Sequence, residues 1–466
     1  MPKVAQISIN KINANICKFP GEFIRTPSNE LFCNICSTVV NHVKQFFVEA
    51  HRNTAKHVRG IIQSSSNSQT QLFLQPAFKS DFTKDVLKAF LSADIPLRKL
   101  RNKNLKKLFA SIGHPLPAEQ TCRMKVTELY EEEIERIKAL IKDEPVFIIV
   151  DESDISGKKY VNILVGIISK PHISYLVECA PLSTAANSEI LLRLIDDTIN
   201  FLSISRPNFN LLLTDAASYM LSTGRTLHKL YPHLFHVTCI AHLIHNCAMR
   251  IRAHFVDVDQ LIARIKNAVI KNKTRANTFN EIGIPPETIV TRWASWLIAA
   301  MYYSANFPVI EGIVRKWSGD GVLVRQAKEI IEKPGIVQAL IAIERSYRNL
   351  INIIFKLECK SCGIMETMRC INELQFNEDP CAIGIYLKGR LEKNEIIHIL
   401  ECTRTEISPH LYSLLQNCQS TSAAVERSFS LLKKMLTKER NFNCENVRKY
   451  VIIYFNFSVN NEQDIF

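Results

Sequence analysis

The sequence lacks any run of uncharged apolar residues approaching the ~18 that a membrane-spanning helix needs. Its first residues, Met1–Phe19, mix Lys and Asn with apolar side chains and do not form the continuous apolar core of a signal peptide. Its 14 cysteines do not follow the pattern of a small secreted domain. We therefore expect an intracellular protein with no membrane partner, whose cysteines are thiols or metal ligands rather than disulfides.

Acidic residues are also in short supply. The chain has 45 Asp and Glu against 58 Lys and Arg, which gives a formal charge of +13 over 466 residues. This balance favours a polyanionic partner, of which nucleic acid is the usual one, although ribosome-associated and membrane-surface proteins share it. A length of 466 residues leaves room for two to four domains. Hydrophobic residues make up 47% of the chain, so most of it should fold.

Four candidate zinc ligands lie near the N-terminus. Cys33, Cys36, His51 and His57 follow the pattern C-x2-C-x14-H-x5-H. A tetrahedral zinc ion takes two ligands from a tight cysteine turn and two from a helix, so residues 31–60 predict a small zinc finger. The alternative is two unrelated pairs. The side chains expected to pack the helix on the cysteine turn are Val43, Phe46, Phe47 and Ala50.

The flanking segments are polar. Residues 1–30 predict a flexible N-terminus, and residues 61–80, which include QSSSNSQTQ, predict a linker. Residues 81–145 predict a helical, basic region for DNA binding or oligomerisation. Within it, RKLRNKNLKK holds six basic residues, among them Arg98, Lys99 and Arg101. These either form a solvated helix face or serve phosphate contact and nuclear import.

The pattern then changes to that of strands. An apolar strand, Phe147–Asp151, ends in a carboxylate, and Asn210–Asp215 repeats this feature. Between them lie a hairpin over 160–181 and a helix over 187–202; a strand over 235–239 and a helix over 241–252 follow. The order β-β-β-α-β-α-β-α is similar to a ribonuclease-H-like mixed sheet, in which strands one and four are parallel neighbours. Asp151 and Asp215 would then lie side by side and share a Mg²⁺ or Mn²⁺ ion.

Residues 253–405 show no convincing strand alternation, which predicts an all-α segment. We expect this segment to interrupt one ribonuclease-H-like domain, whose first part is residues 146–252 and whose final part is residues 406–466. Cys359 and Cys362 could begin a second zinc site completed by Cys370 or Cys381, or could be buried free thiols. The apolar segment Asn446–Val459 should either pack on the sheet or form a subunit interface.

Taken together, these stretches resemble hAT-superfamily transposases. The matching motifs, in the family's order, are FIIVDESDISGKKYVNILVGII, LLLTDAASYM, HVTCIAHLIHNC, TRWASW and TSAAVERSFS followed by RNFNCENVRKYVIIYFN. The finger resembles the BED type and the finger of CGG triplet repeat-binding proteins. The insertion is shorter than in well-studied active hAT transposases.

The resemblance implies a catalytic triad of Asp151, Asp215 and Glu426 holding Mg²⁺ or Mn²⁺; periodicity alone gives no reason to select Glu426. It also implies a zinc finger that binds double-stranded DNA, a C-terminal dimerisation region over 406–466, a homodimer or higher homo-oligomer, and nuclear localisation. Phosphodiester cleavage by two metal ions would be the chemistry.

The resemblance further assigns DNA contacts. Cys239 and His242 match the family's C-x2-H motif, and His242 is expected to contact a DNA phosphate. We do not expect His245 and Cys247 to join a metal cluster with them. Trp293, after Arg292, matches an aromatic residue that stacks on a flipped base, and its alternative role is that of a core tryptophan.

Three functions compete on these grounds. The first is a DNA transposase. The second is a host-adopted, non-catalytic DNA-binding regulator in which the triad is a relic. The third is a ribonuclease-H-like nuclease acting on RNA hybrids.

Overall fold

The computed structural model describes residues 3–26, 28–67, 81–287, 294–319, 321–358, 362–376, 378–436 and 444–463. The chain divides into two compact units, residues 1–81 and residues 82–466. This boundary falls at the end of the segment expected to be a linker. Each unit has its own hydrophobic core.

The N-terminal unit is a three-stranded antiparallel sheet with helices beside it. Its elements are α1 (Lys3–Lys18), β1 (Phe23–Arg25), β2 (Leu31–Cys33), β3 (Thr38–Val40), α2 (Gln45–Arg52) and α3 (Ala55–Asn67). The prediction that residues 1–30 are flexible is wrong, because Ile12 and Phe23 are buried in the core of this unit. Their polar neighbours concealed the apolar side that α1 uses for packing.

The second unit is built on a five-stranded mixed sheet. Its strands are β4 (Val146–Ile155), β5 (Lys158–Ile167), β6 (Tyr175–Leu182), β7 (Phe209–Thr214) and β8 (Phe235–Thr238). They lie in the order β6-β5-β4-β7-β8. The first three strands are antiparallel, whereas β7 runs parallel to β4 and β8 parallel to β7. The expected parallel pairing of the two strands that lead to Asp151 and Asp215 is therefore confirmed.

Side-chain alternation in the sheet decides where the acids lie. Phe147 and Ile149 of β4 join the larger hydrophobic cluster, and Asp151 is the next residue on the same face. Leu211 and Leu213 of β7 belong to that cluster too, and Asp215 follows at the same spacing. Since side chains alternate with a period of two, both acids are expected on the face of the sheet that the larger cluster covers. Asp215 follows the end of β7, whereas Asp151 lies within the central strand β4, so the prediction that this strand ends at Asp151 is wrong.

Helices cover the sheet and form the rest of the unit. They are α4 (Phe82–Ser92), α5 (Lys103–Ser111), α6 (Glu119–Ile141), α7 (Ser188–Phe201), α8 (Ser218–Leu230), α9 (Ile240–His254), α10 (Val256–Ile270), α11 (Lys273–Asn277), α12 (Ser295–Arg315), α13 (Val322–Ile331), α14 (Ile336–Glu358), α15 (Ile364–Asn372), α16 (Ile383–Leu391), α17 (Ile396–Leu400), α18 (Pro409–Gln416), α19 (Ala423–Met435) and α20 (Cys444–Gln463). No strand lies in the described part of residues 253–405, as expected of an all-α segment.

One helix in the described part of the chain, α12, is long and apolar enough to cross a membrane by length and composition alone. The sequence argument from uncharged runs does not single it out. Buried core helices pass the same test. In this fold α12 packs against α10, α13 and α14 and buries Trp296, Tyr303 and Phe307, so its apolar side chains belong to the helical core.

The C-terminal helix α20 settles one alternative left open by the sequence. It packs on β6, α4 and α6, and it buries Val451, Ile452 and Ile453 within the unit. The side chain of Asn456 also accepts from Leu176 N at 2.8 Å and donates to Leu176 O at 3.0 Å. Asn456 thus satisfies the outward-facing backbone of the edge strand β6, so this segment packs on the sheet.

A close approach between α8 and β8 yields a stability prediction. A Cβ at Gly224 would overlap the imidazole of His236. Burial lowers the pKa of His236 to about 4, and Thr214 Oγ1 holds its Nε2 at 2.9 Å. We predict that Gly224→Ala lowers the free energy of unfolding by about 1–3 kcal/mol through overpacking, as measured by urea denaturation.

The matched control is Gly312→Ala in α12, where nothing lies within 4 Å of the added Cβ. Alanine is favoured over glycine inside a helix by about 1 kcal/mol, so this variant should gain stability. Equal effects of the two substitutions would contradict the packing argument.

Candidate functional site

The four predicted zinc ligands converge in the N-terminal unit. The ligand atoms of Cys33, Cys36, His51 and His57 lie within 4.8 Å of one another. His57 Nδ1 is 3.3 Å from Cys33 Sγ and 3.5 Å from Cys36 Sγ. Tetrahedral zinc bonded at about 2.3 Å to sulfur and about 2.0 Å to nitrogen would separate these atoms by roughly 3.6 Å. This Cys2His2-type cluster can therefore bind zinc.

The prediction that both histidines lie on one helix is wrong, because they belong to two consecutive helices. His51 lies in the last turn of α2, whereas His57 lies in the first turn of α3. Between them, the hydroxyl of Thr54 accepts from His57 N at 3.3 Å, next to the start of α3. This break accommodates the wide spacing. The predicted packing of α2 is also wrong, because Val48 is its buried residue and Phe46 is 70% exposed.

Sequence reasoning missed Glu22, which supports the zinc cluster. Its Oε2 lies 3.1 Å from His57 Nε2, which leaves Nδ1 as the ligand atom of that ring. Arg52 donates to both oxygens of Glu22, at 2.6 and 2.8 Å. The bond from Arg52 is the main reason why the pKa of Glu22 is lowered. A carboxylate behind a ligating histidine fixes its tautomer and orientation. No sequence signal links Glu22 to a ligand that is 35 positions away.

The catalytic residues expected from the sequence lie in the second unit. Asp151 comes from β4, Asp215 follows β7, His242 lies in the first turn of α9, and Glu426 lies in the first turn of α19. The ligand atoms of Asp151, His242 and Glu426 lie within 4.8 Å of one another. Asp215 does not belong to that group, although its charge raises the pKa of both Asp151 and Glu426.

The hydrogen bonds around the acidic residues do not satisfy every buried carboxylate oxygen. Asp151 is 4% exposed; its Oδ1 accepts from Glu152 N at 2.8 Å, and its buried Oδ2 has no partner in the described part of the chain. Asp215 Oδ1 accepts from Ala217 N at 3.0 Å. Glu426 Oε1 lies 3.6 Å from His242 Nε2. A buried carboxylate oxygen without a donor calls for a proton or a cation.

Burial is the main cause of the raised pKa of each of the three acids, and His242 opposes it in every case. Burial also disfavours the charged form of His242, but Cys239, Asp151 and Glu426 outweigh it and raise the pKa of His242 to about 10. His242 is therefore the cationic side chain beside the carboxyl groups of Asp151 and Glu426, and the charge of Asp215 also acts on both of these acids. Further positive charge would let the acids ionise together.

The position of Glu426 is set by contacts at the end of β8. Ser422, the residue before α19, donates to Cys239 Sγ from its backbone N at 3.2 Å and from its Oγ at 3.3 Å. Ser422 Oγ also lies 3.3 Å from His242 Nδ1. Burial opposes ionisation of Cys239, yet His242 and Ser422 lower the pKa of this thiol. His242 thus faces the carboxyl groups on one side and Ser422 on the other.

The other predicted site residues have different outcomes. Arg98 and Lys99 are exposed on a short 3-10 turn, Leu97–Arg101, and Arg101 forms an ion pair with Glu119 at 2.5 Å. Arg292 and Trp293 lie outside the described residues. His245 and Cys247 belong to no group of candidate metal ligands in the described part of the chain.

The second zinc site has no support among the residues described. Cys359 lies outside them, and Cys362, Cys370 and Cys381 join no group of candidate ligands found there. Cys362 Sγ instead lies 3.3 Å from Thr367 Oγ1.

The fold and sites together define a mixed α/β protein with a Cys2His2-type cluster in one unit and an acidic cluster beside the central strand of the sheet in the other. No protein-family model matches the chain, and a search of curated proteins found no significant match. The chemistry of the two clusters must therefore be argued from their geometry.

The contact between Glu22 and His57 predicts a graded effect on zinc binding. We expect Glu22→Gln to weaken zinc binding about 10- to 100-fold, because the neutral amide is a weaker acceptor for His57 and loses the ion pair with Arg52. Competition with a chromogenic chelator measures the affinity. Glu30→Gln, at an exposed position of the same unit, should leave it unchanged; equal losses in both variants would refute the assignment.

The buried Asp151 predicts a gain of stability on neutralisation. Because its folded-state pKa lies above the unfolded value, the stability it contributes is present at low pH and is lost as pH rises through the folded pKa. In zinc-loaded protein free of Mg²⁺ and Mn²⁺, Asp151→Asn should unfold at higher urea concentration than wild type at pH 7, with a gain on the order of 1 kcal/mol or more. The difference in the free energy of unfolding between Asp151→Asn and wild type should become smaller as the pH falls towards 4.

The control is Asp196→Asn at an exposed position of α7. It should shift the midpoint little at any pH. A loss of stability in Asp151→Asn would mean that Asp151 is held by a partner as a carboxylate, contrary to the geometry described above.

Proposed function

We propose that this protein is a hAT-like DNA transposase, or a protein derived from one, that binds DNA through its zinc finger and cleaves and transfers DNA strands with the help of a divalent metal ion. The observation that carries the proposal is the acidic cluster. Asp151, inside the central strand β4, and Glu426, in the first turn of α19, are far apart in the chain but come together here, and the Oδ2 atom of Asp151 is buried without a donor in the described part of the chain.

The strand order supports the ribonuclease-H-like class. Three antiparallel strands are followed by two that extend the sheet in parallel, with β4 at the centre. In the sequence, the described helices of residues 253–405 lie between this sheet and α19, which carries Glu426 and packs on β4 and β5. This arrangement is what the resemblance to hAT transposases implied for an interrupted domain.

The residues present fit a Mg²⁺ or Mn²⁺ ion. Asp151, Asp215 and Glu426 offer carboxylate oxygens, which these ions prefer. When bound, such ions activate the attacking oxygen and stabilise the leaving oxygen of a phosphodiester. The chain's own part is to hold the three carboxyl groups near one another. His242 is placed between two partners, with Nδ1 next to Ser422 Oγ and Nε2 towards Glu426. In this position His242 can meet a DNA phosphate that enters the cluster.

The rest of the proposal concerns DNA binding and assembly. The excess of basic residues, together with Arg98, Lys99 and Arg101, suits a phosphate backbone. A nuclear homodimer or higher homo-oligomer remains part of the proposal. Since the apolar side chains of α20 are covered by its own unit, such an assembly would need a surface other than these side chains.

The alternative is a non-catalytic DNA-binding regulator. The observation that favours it is the compactness of residues 1–81 as a unit with its own core and zinc cluster. Such a unit could serve DNA recognition whether or not the acidic cluster reacts. In that case Cys33→Ser would abolish DNA binding, while Asp215→Ala would change nothing.

The catalytic proposal predicts Mn²⁺-dependent cleavage of DNA. Supercoiled plasmid carrying the sequences that flank the gene should be nicked by the full chain, and Asp151→Asn, Asp215→Asn and Glu426→Gln should each reduce the rate by at least about 100-fold, because each removes a metal-binding carboxylate. Gel separation of nicked and supercoiled forms measures the rate.

Glu131→Gln, an exposed substitution on α6, is the matched control and should leave the rate unchanged. Equal rates in wild type and Asp151→Asn would end the catalytic proposal and favour the regulator. Cleavage of an RNA–DNA hybrid in place of the plasmid would instead indicate the nuclease that acts on RNA hybrids.

A further inference from the structure

A second buried oxygen lies next to Asp151. Asn162 of β5 is the direct cross-strand partner of Asp151 in β4, so the two side chains share one face of the sheet. Asn162 is fully buried, and its Oδ1 has no hydrogen-bond partner in the described part of the chain. The neighbouring strands thus carry two buried oxygens for which the described residues supply no donor, Asp151 Oδ2 and Asn162 Oδ1.

The orientation of the Asn162 amide follows from its other contact. Asn162 Nδ2 lies 2.7 Å from Ser428 Oγ on α19. Ser428 Oγ donates its single proton to Val425 O at 2.6 Å, so towards Asn162 it can only accept. The NH2 group must therefore face Ser428, and the carbonyl oxygen must face away from it. An exchange of the two amide atoms would set two acceptors against each other.

A cation would satisfy both buried oxygens. An asparagine carbonyl is a usual ligand of hard divalent ions, as a carboxylate is. An apolar residue at position 162 would pack in this core without leaving an acceptor unsatisfied, as the neighbour Leu164 on the same face does. The presence of an amide here, held rigidly by the helix that carries Glu426, suits a role at the ion.

We infer that Asn162 is a further oxygen ligand of the divalent-cation site, supplied from the strand next to Asp151. This inference rests on the cation site of the proposed function. It adds a neutral donor from β5 to the carboxylates of β4, the end of β7 and α19. It also explains the contact with Ser428, which fixes the amide on the helix that brings Glu426 to the same site.

Two substitutions separate a ligand from a structural link. Asn162→Leu and Asn162→Asp both lose the donor to Ser428, but only the aspartate variant would keep an oxygen in the position of Oδ1. Binding of Mn²⁺ to the zinc-loaded full chain is measured by the electron paramagnetic resonance signal of the free ion. The binding that Asp151→Asn abolishes defines the site.

We expect Asn162→Leu to weaken this Mn²⁺ binding at least about tenfold, and Asn162→Asp to bind Mn²⁺ at least as tightly as wild type. Equal weakening in both variants would show that Asn162 only links β5 to α19, and unchanged binding in Asn162→Leu would also overturn the inference. If wild type has no Mn²⁺ binding that depends on Asp151, the proposed function itself fails.

Folding of the variants is checked by thermal unfolding. Asn162→Val provides a second variant without the oxygen if leucine is not tolerated, because β-branched residues suit a strand. It should weaken Mn²⁺ binding like leucine, and wild-type affinity in a folded valine variant would refute the role of Asn162.

Discussion

The attachment of residues 420–422 to the end of β8 is the contact on which the acidic cluster depends. Ile240 N donates to Ser420 O at 2.9 Å, and Ser422 donates twice to Cys239 Sγ. These bonds fix the start of α19 beside the sheet, and the first turn of that helix carries Glu426. Cys239 N in turn donates to Thr214 O at 2.7 Å, next to Asp215. One short chain of hydrogen bonds therefore connects the segments that bring Asp215, His242 and Glu426 together.

The helices between β8 and α19 also support the sheet, because they cover its edge strand β8. The side chain of Asn394 bonds both the N and the O of Thr238 in β8, and Glu395 accepts from His236 N. Arg404 pairs with Glu395 and donates to Leu234 O. An open strand edge invites pairing with other chains. Here, side chains of the helical segment close the β8 edge, as Asn456 closes that of β6. The insertion thus completes the sheet and does not merely interrupt it.

Local patterns in the sequence predicted the sheet because its strands are short apolar runs with clear ends. The parallel pairing of β4 and β7 followed from element order. The expectation that Asp151 and Asp215 lie side by side rested on the same order, but the group of ligand atoms around Asp151 includes His242 and Glu426 and not Asp215. Glu426 could not be found in this way: its helix has the same spacing of apolar residues as many others, and only the resemblance to hAT transposases selected it. Glu22 was missed for a related reason, since its contact with His57 joins residues distant in sequence, as does the contact of Asn162 with Ser428. The position of Phe46 was misjudged because apolar spacing marks a face of a helix without saying whether anything covers it.

The two candidate sites have one feature in common, which is buried polar atoms without hydrogen-bond partners in the described part of the chain. In the described part of the chain ten such side-chain atoms occur, and three of them, His51 Nε2, Asp151 Oδ2 and Asn162 Oδ1, lie in or beside the two clusters of candidate metal ligands. The N-terminal cluster offers four ligands and a supporting carboxylate, which is the composition of a closed structural zinc site. The acidic cluster instead keeps carboxyl groups of raised pKa and an accessible Glu426. Such a site would gain from a cation, and this difference is the physical reason why we propose a structural role for the first site and a catalytic one for the second.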